Sequence, residues 1–412
     1  MTYEQAMEYI GSFTRSGAPV TDIDRFIMLM KELGDPQDGF KSIHVAGTNG
    51  KGSVCEYITC ALRASGKRVG RFTSPYITCI EERIQINGKN ISKPAFALLC
   101  EKVQNAVAAT DITGYSQFEI LCAIGFLYFS AEQVDYAVIE VGIGGTLDCT
   151  NILSPVVTAI TSIGLDHTDL LGETVREIAS HKAGIIKPTV PCVSAHDQPD
   201  EAQQVITEKC SESGSRLVIP DAGRLQLLHM DVSDVFFTYK AQNYHGVMPG
   251  RHQLANLICA IEVCELLGLK YSDIYVGIEK ARLPARMEYI KTEQATYIVD
   301  GAHNPPAMRA CAQLLGLSDK PKHGIIGMLG RKNWQAALAE LLPSLSGVTF
   351  VEDFAEGAVP AHTLAEFAKE YDIHVRTSES LEQALAEAKT DGLTLITGSL
   401  YLAGKARSLI IK

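Results

Sequence analysis

Three apolar stretches of the sequence end in residues suited to phosphate or metal chemistry. The first precedes Ala46-Gly-Thr-Asn-Gly-Lys-Gly-Ser53, a glycine-rich turn that opens a helical pattern. Backbone N–H groups at a helix start attract anions, Lys51 adds a cation for phosphate, and Ser53 adds a hydroxyl within reach of a metal. The Walker pattern is not met in full: Val45 stands where its first glycine would be, and Gly52 separates Lys51 from Ser53. A glycine-rich connection without a ligand therefore stays open. The second stretch ends in Glu140, followed by Val-Gly-Ile-Gly-Gly-Thr-Leu-Asp148. Such a carboxylate reads as a Mg²⁺ ligand or, equally, as an ordinary strand end. The third ends in Gly164-Leu-Asp-His167. A lone histidine is usually structural, but three strands delivering Lys51, Glu140 and His167 to one sheet edge favour a shared site.

Other polar positions are less telling. Lys182 lies in Ala179-Ser-His-Lys-Ala-Gly-Ile-Ile-Lys187, where composition indicates a helix approaching a strand; spacing alone makes it a solvated lysine. Asp300-Gly-Ala-His-Asn-Pro305 and Thr397-Gly-Ser-Leu-Tyr401 each stop a strand and start a helix. Each reads as a plain capped turn or as a polar loop facing the phosphate site across an interdomain cleft.

The elements that must hold these loops follow from the hydrophobic pattern. Ser42-Ile-His-Val-Ala reads as a strand, Val54, Ile58, Ala61 and Leu62 share one helical face, and Val69-Gly-Arg-Phe completes a βαβ unit. Tyr136-Ala-Val-Ile-Glu-Val and Val156-Val-Thr-Ala-Ile-Thr-Ser-Ile extend the parallel sheet, while Val235-Phe-Phe-Thr-Tyr reads as an antiparallel strand of a smaller subsheet. Pro and basic residues break the pattern at Ala281-Arg-Leu-Pro-Ala-Arg, and a fresh alternation starts at Thr296-Tyr-Ile-Val-Asp. Strands at Gly324-Ile-Ile-Gly-Met-Leu, Val348-Thr-Phe-Val, Ile373-His-Val and Leu393-Thr-Leu-Ile-Thr follow, separated by helical segments such as Trp334 to Leu342 and Leu381 to Ala388.

The chain has 412 residues, 37 basic and 48 acidic, for a net charge of -11. That balance argues against a general nucleic-acid binder. Hydrophobic residues at 46% and charged residues at 21% allow a sizeable core and exclude wholesale disorder. The acidic start Met1-Thr-Tyr-Glu-Gln-Ala-Met-Glu is unlike a signal peptide, and the longest apolar run, Ile120 to Phe129, is too short to span a membrane. The 11 cysteines contain no Cys-x-x-Cys pair and fit thiols in a reducing compartment. The expectation is a cytoplasmic protein without a membrane or nucleic-acid partner.

In chain order, Ile43-His-Val-Ala-Gly-Thr-Asn-Gly-Lys-Gly-Ser, Thr73-Ser-Pro-Tyr76, Glu82-Arg-Ile, Glu140-Val-Gly-Ile-Gly-Gly, Gly164-Leu-Asp-His167, Lys182-Ala-Gly-Ile, Pro249-Gly-Arg-His-Gln-Leu-Ala-Asn256, Asp300-Gly-Ala-His-Asn-Pro and Thr397-Gly-Ser-Leu-Tyr resemble the Mur ligase superfamily. The resemblance is closest to the folylpolyglutamate synthase and dihydrofolate synthase family and runs nearly end to end. It implies an α/β protein: a P-loop ATPase-like parallel-sheet domain with a small antiparallel subsheet over 1–282, a linker at 283–287, and a Rossmann-like domain over 288–412. It also implies ATP-dependent amide formation, in which a pteroate or folyl-glutamate carboxylate becomes an acyl phosphate and the amine of L-glutamate displaces phosphate.

By that resemblance Thr48, Asn49, Gly50, Lys51, Gly52 and Ser53 hold the ATP phosphates, with Asn256, Arg286 and Asp300 also on the nucleotide. Ser74, Glu140 and His167 are Mg²⁺ ligands, and Lys182 is a carbamylated lysine near a second ion, which replaces the solvated reading; K⁺ is a further cation it admits. Asp24, Arg25, Phe118, Glu119, Leu147 and Asp148 face the pteroate, and His303 and Ser399 the glutamate. Lys51, Lys182 and His303 are the groups expected to act in catalysis, in a monomer whose partners are small molecules.

Four positions depart from the family pattern: Thr146 for a common Arg, Ala285 for the Gly of Pro-Gly-Arg, Tyr76 for a frequent His, and Arg331-Lys-Asn333 for Asp-Lys-Asp. Two alternatives follow, a Mur-type ligase acting on another carboxylate and a non-catalytic nucleotide-binding relative. The short segment before the phosphate loop opposes the first. The joint presence of Lys51, Glu140, His167 and Lys182 opposes the second.

Overall fold

The computed structural model describes residues 1–14, 22–330, 333–388 and 391–411. These divide into two compact units, Met1–Gly223 with Ala255–Ile278, and Arg224–Leu254 with Glu279–Lys412.

The first unit carries eight strands among the described residues: β1 Lys41–Ala46, β2 Val69–Phe72, β3 Ile84–Ile86, β4 Lys89–Asn90, β5 Tyr136–Glu140, β6 Val157–Ile160, β7 Cys192–Ser194 and β8 Leu217–Val218. Their order is β4-β3-β2-β5-β1-β6-β7-β8, parallel from β2 to β8 with β3 and β4 antiparallel at one edge. Ile43, Val45 and Ile139 are fully buried, as central strands covered on both faces require. One core gathers Phe72, Ile84, Phe96, Ile120 and Phe126; another gathers Ile160, Ile178, Ile185 and Ile206. The apolar run lies in helix Gln117–Ala131, with Ile120 to Phe126 and Phe129 buried, and the helix start is closed by a reciprocal Ser116 and Glu119 capping box. Among the described residues no helix is long and apolar enough to cross a membrane.

The second unit has a six-stranded sheet among the described residues: β12 Glu288–Lys291, β13 Thr296–Val299, β14 Lys322–Ile326, β15 Gly347–Val351, β16 His374–Ser378 and β17 Leu393–Thr397, in the order β12-β13-β17-β14-β15-β16. All pairs are parallel except β12 with β13. Its core centres on Ile298, Met308, Ile326, Leu338, Phe350 and Leu395. A three-stranded antiparallel sheet joins β9 Leu225–Met230, β10 Val235–Tyr239 and β11 Gln242–Gly246.

The small sheet around Val235–Tyr239 groups with the second compact unit, where Val232 packs on the core and His245 reaches Glu279 at 3.4 Å. One feature differs from the sequence reading. Strand β12 precedes the expected start at Thr296; Glu-Tyr-Ile-Lys has too little alternation to announce a strand, and pairing with β13 forms it.

Candidate functional site

The turn after β1 is shaped by two glycines with positive φ. A Cβ on Gly47 (φ +150) would lie 1.8 Å from Thr161 Oγ1, and one on Gly50 (φ +87) would lie 2.1 Å from Asn256 Oδ1. Only glycine permits both the backbone angle and the approach. The turn is tied to the end of β6: the N–H groups of Thr48 and Asn49 donate to Ser162 O, and Thr161 Oγ1 donates to Asn49 O at 2.7 Å. Helix Lys51–Ala64 then starts without a side-chain cap, so its first N–H groups and dipole form an anion site. Lys51 Nζ donates to Gly47 O at 3.1 Å and Thr48 O at 3.3 Å, and Ser53 is buried in the first turn.

Glu140 is buried at the end of β5, and its Oε2 accepts the Ser74 N–H at 3.0 Å. Pairing of Phe72 with Ile139 brings the turn after β2 to this carboxylate. The Glu140 carboxylate and Ser74 hydroxyl are hard oxygen donors of the kind Mg²⁺ takes. His167 is exposed in a left-handed conformation (φ 49), with its N–H on Asp166 Oδ1 at 3.0 Å. Among the described residues no three His, Cys, Asp or Glu side chains gather as a metal centre. The expected ligand set contains only two such side chains, Glu140 and His167.

Lys182 corrects the spacing argument. It is 5% exposed, and its Nζ donates to Gly47 O at 2.8 Å. Ile178, Ala179 and Ala183 bury helix Val175–Ala183 and carry the lysine inward with them. Burial, then the neighbouring Lys51 cation, hold its ammonium down to about 7, while Asp166 and Asp148 act the other way. The helix end is pinned by the glycine-rich turn after β5: Thr146 N–H and Oγ1 both donate to His181 O, at 2.8 and 3.0 Å. Thr146, one of the positions that depart from the resemblance, thus has a backbone partner.

The residues expected to face the pteroate fall into pairs. Arg25 Nε and Nη2 donate to Glu119 Oε1 and Oε2, both at 2.8 Å, and this pairing raises the guanidinium further. Phe118 sets its ring edge-on to Phe72 at 5.7 Å, and its ring tip would lie 2.7 Å from a Cβ on Gly142. Asp148 is buried and accepts from Ile143 N at 3.0 Å and from Thr150 N at 3.0 Å; burial pushes its carboxyl up while these bonds oppose the shift. Leu147 is half-buried beside it, and Asp24 is exposed at the start of helix Asp24–Glu32.

In the second unit, Asp300 is buried, with Oδ2 accepting Met287 N–H at 2.8 Å and Oδ1 accepting Ala302 N–H at 2.7 Å. His303 Nδ1 lies 2.9 Å from Gly301 O, Asn304 caps helix Pro305–Leu315, and buried Ser399 caps helix Leu400–Ile410 by accepting Tyr401 N–H at 3.1 Å. Arg286 is half-buried between Ala285 and Met287, both left-handed. Of the other departures, Tyr76 carries the Arg83 guanidinium over its ring at 5.5 Å and Asn333 caps helix Trp334–Leu341; Arg331 and Lys332 lie outside the described residues.

The sequence reading missed the Gly47 carbonyl as the shared acceptor of two lysines, Thr161, and a buried Glu56–Arg71 ion pair. Only the last had a signal: a lone charge inside the apolar strand Val69-Gly-Arg-Phe needs a partner.

Comparison with known proteins identifies the family. Residues 45–264 match the Mur ligase middle domain, and residues 285–400 match the Mur ligase glutamate ligase domain. The chain is 35% identical to the folylpolyglutamate synthase of Lacticaseibacillus casei, over 100% of this chain and 99% of that protein. It is 33% identical to the dihydrofolate synthase/folylpolyglutamate synthase of Bacillus subtilis over 98% of each. The solved Mycobacterium tuberculosis folylpolyglutamate synthase, complexed with ADP and AMPPCP, superimposes with a TM-score of 0.87 at 29% identity, covering 100% of this chain and 98% of that one. Matching domains in the same order, relatives aligned along their whole length, and the phosphate-loop geometry together show that this chain belongs to the folylpolyglutamate synthase/dihydrofolate synthase family of the Mur ligase superfamily.

Proposed function

We propose that the protein is an ATP-dependent ligase that joins L-glutamate to the carboxylate of a pteroate or folyl-glutamate, acting as a cytoplasmic monomer. A carboxylate is a poor electrophile toward an amine. Transfer of the γ-phosphoryl group from ATP gives an acyl phosphate and ADP; the glutamate amine adds to its carbonyl, and the tetrahedral intermediate expels phosphate to leave the amide. The loop from Thr48 to Ser53 binds and orients the phosphates, with Lys51 supplying a cation. Ser74, Glu140 and His167 would hold Mg²⁺, which when bound neutralises charge on the transferring phosphoryl group.

Lys182 fits carbamylation. With its ammonium held at about 7, a large share is neutral amine near physiological pH, the form that adds CO₂ to give an anionic oxygen donor. Arg25, Glu119, Phe118, Leu147, Asp148 and Asp24 take the pterin end; Asn256, Arg286 and Asp300 take the nucleotide; His303 and Ser399 take glutamate. The phosphate and metal residues belong to the first unit and Arg286, Asp300, His303 and Ser399 to the second, so turnover requires both.

The observation that carries this reading is Lys182, buried and brought from helix Val175–Ala183 onto the phosphate-loop carbonyl at 2.8 Å. The test is phosphate release with ATP, glutamate and either dihydropteroate or tetrahydrofolate, with products weighed by mass spectrometry. A mass gain of one glutamate is expected. Release with a peptidoglycan precursor and none with either folate would overturn the folate reading and keep the ligase.

A further inference from the structure

Beneath the Ser74–Glu140 pair lie two buried charges with no part in the scheme above. Arg71 in β2 is 7% exposed, Glu56 on the second turn of the phosphate-loop helix is 8% exposed, and the two form an ion pair. The other terminal nitrogen of Arg71 donates to Gln85 Oε1 in β3 at 2.5 Å, and Cys60 Sγ donates to Glu56 Oε1 at 3.2 Å. One guanidinium thus ties helix Lys51–Ala64, β2 and β3 together.

Stability does not explain the pair. Burying two charges is costly, and apolar side chains of similar volume in the same space are often neutral or stabilising. Location does explain it. Arg71 pairs with Val138 across the parallel β2–β5 ladder. Strand alternation then puts Arg71, Val138 and Glu140 on one sheet face, the face covered by the helix that bears Glu56. Burial works against the Arg71 cation, whereas the Glu140 and Glu82 carboxylates favour it. The strand bearing Arg71 leads directly into Ser74, and the helix bearing Glu56 starts at Lys51.

We propose that Arg71 is a positioning residue for the phosphate and metal site. Held by Glu56 and Gln85, it locks the strand that delivers Ser74 to the helix that carries the phosphate loop, and it is the fixed cation against which Glu140 is set. This rests on the reading of Ser74 and Glu140 as groups for Mg²⁺ and ATP, so the test carries a control for that reading.

Binding of AMPPCP with Mg²⁺ is measured by calorimetry for the parent, Glu140→Ala, the double variant Glu56→Leu/Arg71→Met, and Gln85→Met, alongside thermal midpoints and KM for glutamate. The double variant keeps the space filled without charge. Its midpoint should equal or exceed the parent's, while affinity for Mg²⁺·AMPPCP falls about 10–100-fold, the scale seen when a partner of a metal ligand is removed. KM for glutamate should not move. Gln85→Met, which keeps the ion pair but releases β3, should weaken binding about three- to tenfold, the scale of one hydrogen bond. Parent-like binding by the double variant, with Glu140→Ala impaired, overturns the role of Arg71 alone. Parent-like binding by Glu140→Ala overturns the metal reading and this proposal with it. Should the double variant fail to fold, Gln85→Met decides, and unchanged affinity there rejects the proposal.

Discussion

The motif residues of the two units use their hydrogen bonds in different ways. At the β1 edge of the first unit, Lys51 and Lys182 both donate to Gly47 O although they come from separate helices. Two cationic side chains converging on one carbonyl repel each other, and that cost is relieved when Lys182 gives up its proton or an anion arrives. In the second unit the motif residues are occupied locally: Asp300 clamps Met287 and Ala302, and Asn304 and Ser399 cap the helices that follow them. Equal motif similarity therefore covers two physical jobs, gathering charge in one place and building turns in the other. Substitution in the first set should remove chemistry and leave the fold, whereas substitution in the second should weaken both.

The largest effect separates these jobs most cleanly. Lys51→Ala should lower ligation by about 10²–10³ or more, the scale of losing one group that stabilises developing charge, with a thermal midpoint close to the parent's. Phosphate release and a melting curve check it; retained turnover in a folded variant would remove Lys51 from the site. Lys182→Ala should also lose most activity, and formate or acetate should restore part of it by supplying the missing oxygen donor. Failure of both anions across a concentration series, together with a bare ammonium in high-resolution density of the active parent, would dismiss carbamylation.

Asp300→Ala probes the other side of the contrast. It strands two backbone N–H groups, Met287 and Ala302, each worth about 1–3 kcal/mol when left buried and unpaired. Unfolding in urea should shift to lower concentration along with the loss of turnover. A parent-like urea midpoint with dead chemistry would mean that Asp300 belongs with the charge-gathering set.

The difference also explains what could be read in advance. Val69–Phe72 and Leu393–Thr397 were legible as strands because β-branched and aromatic runs bounded by turns leave few alternatives. The phosphate loop was legible because its glycines answer to local backbone needs. Lys182 was not: its burial is decided by helix Val175–Ala183 docking on a distant loop, and nothing within a few residues of it records that. Strand β12 was hidden for a local reason: Glu-Tyr-Ile-Lys has too little alternation to read as a strand, and pairing with the neighbouring β13 forms it. Arg71 differs again, since a lone charge in the apolar strand Val69–Phe72 requires a buried partner that its neighbours in sequence do not supply.

His44 refines the contrast from inside the first unit, since it sits in β1 directly behind the phosphate loop yet does structural work. It is fully buried, with Nε2 2.8 Å from Thr150 Oγ1, and the Thr150 hydroxyl in turn donates to Asp148 Oδ1. Burial, then the charge of Lys187, lower its pKa from 6.5 to about 3. Between those values the unfolded chain binds a proton that the folded chain refuses, so stability falls as pH drops through that window. His44→Gln keeps a donor for Thr150 and removes the titration. Parent and variant should differ most in their loss of stability between pH 7 and pH 4.5, the parent losing more; an equal loss would show that His44 is not held neutral.

The smallest expected effect lies at Ala285, where the second unit's turn-building is most strained. Ala285 is fully buried at φ 52; its N–H donates to Glu288 Oε2 at 2.9 Å, its carbonyl accepts Gly301 N–H at 3.0 Å, and Arg407 holds Glu288 in place. A left-handed alanine costs about 1–2 kcal/mol, and glycine removes that cost while giving the unfolded chain about 0.4–1 kcal/mol more freedom to lose. The two largely offset each other, so Ala285→Gly should raise stability by about 0–1.6 kcal/mol. Nucleotide affinity should stay the same, because no bond at this turn is lost. Turnover is the informative readout. If residues 283–287 move during the reaction, glycine widens the angles they can pass through and kcat shifts while affinity does not. Identical kcat would make the turn a rigid brace, and the second unit's motif residues would then be fold-builders at this segment and nothing more.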